Sequence, residues 1–127
     1  MNIRVDDNAF EAPNGELAWL ASYVFVAIET IRQDNLAILG GEVWVVINGA
    51  VRAMPPLADG GTAVIAWNTN KPASNESWRE FVDRAAKETV LAIKKISAEE
   101  TVAREVRDKV YYNLCYVSEA EYKELRS

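Results

Sequence analysis

Glu42 to Ala53 reads EVWVVINGAVRA, and this stretch decides the fold. It is a β-branched apolar run, broken by Asn48-Gly49 and then resumed. Asn-Gly between two such runs is the strongest short hairpin signal, because a type I′ turn needs positive φ at both central residues. The register it implies sets Ile47 opposite Ala50, Val45 opposite Arg52 and Val43 opposite Met54. Val43, Val45 and Ile47 then share one face, and Trp44, Val46 and Val51 the other. Both faces are apolar, which places the strand inside the sheet or under cover on both sides.

Downstream, Pro55-Pro56 ends the return strand and Asp59-Gly60-Gly61 tips a loop. Thr62 to Asn68 (TAVIAWN) reads as another strand, and Asn68 to Ser77 is all turn chemistry. Ser77-Trp-Arg-Glu80 is a capping box opening a helix to about Ile96, with an apolar stripe through Trp78, Phe81, Val82, Ala85, Ala86, Thr89, Ala92, Ile93 and Ile96. Leu91 falls on its polar side, and Glu80–Arg84 is spaced as an i,i+4 pair. Ser97 and Ser118 open two more S-x-x-E boxes. The first starts a helix to about Lys109, with Val102, Val106 and Val110 on one stripe. The second starts a short terminal helix with Tyr122 and Leu125 turned inward. Val110 to Val117 (VYYNLCYV) reads as the last strand.

Upstream, Ile3 to Val5 reads as a short first strand. Asn14-Gly15 opens a helix over about 15–33, apolar on two sides. Trp19, Tyr23 and Val26 line its second apolar side. They either pack under a loop or terminus or form a homodimer contact. Strands cluster in the middle with helices around them. The expected fold is therefore α+β, a central mainly antiparallel sheet of about 4–5 strands with flanking helices, as a single domain over 1–127. A chain of this length buries roughly two-thirds of its unfolded surface and needs no staple.

Composition narrows the function. The chain has 14 Lys and Arg against 19 Asp and Glu, a net charge of −5, and no histidine. An acidic surface repels phosphate backbones and attracts basic partners, so nucleic acid is not an expected ligand. Without histidine, Ser-His and Cys-His catalysis are excluded. Cys115, the only cysteine, reads as a buried strand thiol. Gly40-Gly41 and Gly60-Gly61 lack the context of a phosphate loop. Glu42 and Asp59 are central carboxylates, but nothing in the sequence makes any two acids converge. No catalytic, cofactor-binding or metal-ligating residue is nominated. The longest apolar run, Leu17 to Ile28, is about 12 residues where a membrane span needs about 20. No basic leader precedes it, so the reading is of a cytoplasmic protein with no membrane partner.

Gly41 to Val51, Trp67 in A-W-N, and Ser77 to Val82 (SWREFV) together resemble the small immunity proteins of bacterial polymorphic toxin and contact-dependent inhibition systems. The resemblance implies a non-enzymatic cytoplasmic protein that binds and blocks one cognate toxin domain, often a nuclease. A basic toxin would be steered to an acidic inhibitor. Trp67 flanks the polar loop, as aromatic residues do at protein-binding surfaces. The expected partner-binding residues are Asp59, Trp67, Asn68, Asn70 and Glu76. The alternatives are a homo-oligomeric assembly protein of a mobile element using Trp19, Tyr23 and Val26, and a small carboxylate-dependent enzyme.

Overall fold

A computed structural model describes residues 4–126. Its elements run β1 (Phe10–Glu11), β2 (Leu17–Leu20), α1 (Ala21–Gln33), β3 (Ala37–Ile47), β4 (Ala50–Arg52), β5 (Ala66–Asn68), α2 (Trp78–Ile96), α3 (Ala98–Thr101), a 3₁₀ turn (Arg104–Lys109), β6 (Val110–Val117) and α4 (Glu119–Arg126). The fold is α+β. The strands form a curled antiparallel sheet in the order β1-β2-β6-β3-β4, with β5 also on β3.

β3 is the interior strand, and β6 pairs along nearly its whole length, from Ala37↔Val117 to Val45↔Val110. Its other edge is shared. β4 takes Val45 to Ile47, in the register that Asn48-Gly49 dictates, and β5 takes Gly40 to Glu42. Asn48 and Gly49 have φ of 50° and 80°, as a type I′ turn requires. β4 stops at Arg52, so the expected Val43–Met54 pair does not form. The Val43 amide instead donates to the Ile65 carbonyl, 2.8 Å away.

α1 and α2 cover one face of the sheet. Val24, Ile28, Ile31, Ala86 and Ile93 pack there on Val43, Val45, Tyr112, Leu114 and Trp19. Phe81, Val82 and Ala85 extend this layer over Ala37, with Trp78 and Tyr122 against them. Among the described residues, the opposite face carries no helix. Its apolar part is a smaller cluster of Ala12, Ala18 and Trp44, with Phe10, Val51 and Tyr111 packed on it.

Several expectations are corrected. The helix of 15–33 starts only at Ala21. Asn14-Gly15 turns the β1–β2 hairpin, with Gly15 at φ 89°. Leu17 to Leu20 is a strand because Ala18, Trp19 and Leu20 pair with Asn113, Tyr112 and Tyr111, a contact across most of the chain. This reverses the orientation of Trp19. It is fully buried, and its indole N–H donates to the Asp7 carbonyl at 3.2 Å. Trp19 therefore lies under the N-terminal segment and cannot line a dimer surface, whereas Tyr23 and Val26 stay 41% and 50% exposed.

In the strand expected at 62–68, only Ala66 to Asn68 are strand residues. The Ser97 side chain does not cap α3: it donates to the Lys94 carbonyl at 3.1 Å, and Ser97 at φ 47° ends α2, so α3 is a single turn followed by the 3₁₀ turn. Val102, Val106 and Val110 are nevertheless buried. The Ser77 and Ser118 boxes form, each with its carboxylate bonded back to the serine amide. Leu125 points outward. Of the expected first strand, Ile3 lies outside the described residues and Val5 is in a turn.

Candidate functional site

Strand alternation sends Glu42 and Trp44 to the face without helices, because Val43 and Val45 point into the helix layer. Across the ladder, Glu42 faces Asn113 and Ala66, Gly40 faces Cys115 and Asn68, and Ala18 faces Asn113. These positions make a shallow groove of about 280 Å³ lined by Glu16, Gly40, Gly41, Glu42, Trp67, Asn68, Asn113 and Cys115. The two glycines are its floor. A Cβ on Gly41 would lie 2.0 Å from the Asn113 carbonyl oxygen, and one on Gly40 would lie 2.4 Å from that of Trp67.

The groove's polar groups are held in place. The Trp44 indole N–H donates to Glu42 Oε1 at 2.6 Å, and the Asn113 amide donates to the Leu17 carbonyl at 3.0 Å. Cys115 is exposed at the rim. Its thiol pKa is pushed up by partial burial and then by the charges of Glu16 and Glu42. This makes it a poor nucleophile at neutral pH. Among the described residues no group of three or more His, Cys, Asp or Glu side chains could hold a metal ion. The groove offers two carboxylates and two amides, which suits it to accept hydrogen bonds from a cation.

The polar loop that follows Asn68 is pinned down. Arg84 of α2 grips both oxygens of Glu76 at 2.8 Å and donates to the Asn70 and Lys71 carbonyls at 3.2 and 3.0 Å. It also pairs with Glu88, which accepts the Asn70 amide at 2.8 Å. The Arg84 guanidinium holds the Glu76 carboxyl down to about 2. Thr69 ties the start of the loop to β3 through the Ile38 carbonyl at 2.7 Å.

The expected contact residues thus fall in three places. Trp67 and Asn68 line the groove, and Asn70 and Glu76 stand on the pinned loop. Asp59 is exposed at the tip of another loop, which is anchored to Thr101 and Ala103. Trp67 also packs on the core, and its Nε1 is buried without an acceptor among the described residues. Glu16, Asn113 and the accessible side of Glu42 escaped the sequence reading.

A model of the family described as immunity protein 40 matches residues 8–116. The chain belongs to the immunity protein 40 family. No curated protein and no solved structure matches it. The immunity protein 40 span takes in β1 to β5 and all of β6 except Val117, so the groove, the pinned loop and the Asp59 loop all lie within it. α4 lies beyond it. Membership in a family of immunity proteins implies a toxin as partner and a role other than catalysis. No helix among the described residues is long and apolar enough to cross a membrane.

Proposed function

We propose that this chain, acting as one α+β domain, binds a single cognate toxin domain and neutralises it by covering its working surface, with no chemistry of its own. The match to the immunity protein family over residues 8–116 carries this reading. A net charge of −5 supports a basic partner, as a nuclease toxin would be, since opposite charge raises association rates and rejects wrong partners. Trp67, Asn68, Asn70 and Asp59 are the proposed contact residues. Glu76 contributes by holding Asn70 in place through Arg84.

The test is co-expression in the cytoplasm of a bacterial host. A toxin domain encoded immediately upstream of this gene should arrest growth alone, and this chain should restore it and co-purify with that domain. Continued arrest with both proteins well expressed would sink the reading for that pair. Exposure of Tyr23 and Val26 favours self-association through α1 as a second reading. It requires a mass well above 14.2 kDa in light scattering, reduced by Tyr23→Glu.

A further inference from the structure

We infer that the toxin docks on the helix-free face of the sheet and seats a lysine or arginine side chain in the groove over Gly40 and Gly41, between Glu16 and Glu42. This rests on the immunity reading above.

The excess negative charge does not lie on the two long helices. α1 and α2 carry six bases and four acids, while the rest of the chain carries eight bases and fifteen acids. The negative field that steers a basic partner therefore comes entirely from outside the two long helices. Among the described residues that line the groove there are two carboxylates and no base. Its volume of about 280 Å³ lies just under the range of roughly 300–1,000 Å³ typical of small-molecule pockets, and suits one inserted side chain.

Geometry adds to charge. Glu42 has one oxygen fixed by Trp44 and faces the groove with a set orientation, so it loses little freedom on meeting a cation. Phe10 and Tyr111, whose ring centroids are 5.7 Å apart, continue the same face on the other side of Glu42. Asn68 leads from the groove to the pinned loop. An exposed Glu16 and a half-buried Glu42 beside aromatic rings, with a rigid polar margin, give a charged centre that a docking partner would desolvate, as at an interface hot spot. The larger groove between α1 and α2, about 630 Å³, lacks this selectivity. Its Arg32 already pairs with both Glu29 and Asp83, and Lys87 adds a further positive charge.

Cys115 provides a built-in reporter, since it is the chain's only cysteine and sits at the groove rim. The probe is a catalytically inactivated form of the toxin domain encoded immediately upstream, mixed with the full chain. Complex formation should slow maleimide labelling of Cys115 at least tenfold. Glu16→Gln with Glu42→Gln should raise Kd tenfold or more and flatten its salt dependence, while circular dichroism stays unchanged. Leu91→Glu, on the helix groove, should leave Kd unchanged. Absence of any wild-type complex would overturn both the immunity reading and the docking face. A tight complex with Cys115 fully reactive and the double variant unaffected would overturn the docking face alone. Loss of binding by Leu91→Glu would then move the toxin to the helices.

Discussion

Arg84→Ala removes the side chain that joins α2 to the loop over residues 70–76, and its cost can be worked out contact by contact. The guanidinium is 30% exposed and the Glu76 carboxylate 13%. Partial exposure and screening limit that two-pronged pair and the i,i+4 pair with Glu88 together to about 1 kcal/mol. The carbonyls of Asn70 and Lys71 turn to water once the loop lifts, so each bond is worth roughly 0.5 kcal/mol net. Arg84 also lies over the Phe81 ring at 5.4 Å, a smaller term that is partly solvated. The expected loss is about 2 kcal/mol in urea denaturation, or a fall of roughly 8 °C in Tm for a chain of this size.

The loss has a pH signature. Glu76 has a folded pKa of about 2, below its ordinary 4.5, chiefly because of hydrogen bonds from Arg84. The ionised carboxylate therefore favours the folded state above pH 4.5, and this advantage fades as the pH falls towards 2. The gap between wild type and Arg84→Ala should be full at pH 7 and narrow across that acid window. Hydrogen exchange at the amides of 70–76 should accelerate in the variant at neutral pH. A stability loss below about 0.5 kcal/mol with those amides unchanged would refute the pinned-loop argument.

Three further substitutions probe the frame around the site. Gly41→Ala drives a methyl group to 2.0 Å from the Asn113 carbonyl and 2.6 Å from the Trp67 ring, so β3 and β6 must part. It should cost more than about 3 kcal/mol in urea or leave the protein insoluble, and retention of wild-type Tm would contradict the close approach. Ser77→Ala breaks the capping box of α2 and should cost about 1 kcal/mol, read as a lower urea midpoint with unchanged m. Tyr112→Phe removes the hydroxyl that reaches both oxygens of Glu99 at 3.2 Å, for about 1 kcal/mol at neutral pH. Burial first, and then Glu99, raises the Tyr112 pKa above its ordinary 10.0. The folded state thus holds its proton more tightly, and stability is full below pH 10 and falls above it. Tyr112→Phe should remove much of that alkaline loss, measured as Tm against pH.

What could be read locally was read well, and what depended on distant pairing was not. The Asn48-Gly49 turn, the capping boxes at Ser77 and Ser118, the stripe of α2 and the limits of β6 are all set by neighbours within a few residues. Leu17 to Leu20 is different. Its apolar residues fit either a helix face or a strand, and only the free edge of β6, some ninety residues on, makes it a strand. The i,i+4 pairing of Glu80 with Arg84 failed for a related reason. Glu80 bonds the Ser77 amide, while Arg84 reaches Glu76 in the loop and takes Glu88 as its i,i+4 partner instead, so capping and the loop contact redirected the pairing.

The site was half legible. Trp67, Asn68 and the loop after them stand out by composition, whereas the apolar faces around Glu42 read as a strand covered on both sides. The overlooked signal is the alternation Gly40, Glu42, Trp44. A tryptophan buried in a sheet usually finds an acceptor for its indole N–H. On the helix-covered face the Trp19 indole finds its acceptor in the Asp7 backbone carbonyl, 3.2 Å away. Glu42, two residues before Trp44 and on the same side, supplies one at 2.6 Å. A carboxylate can do this only where its other oxygen stays near water, because an unpaired buried charge is prohibitive. Glu-x-Trp in the middle of an apolar strand therefore marks the face that the helices leave open.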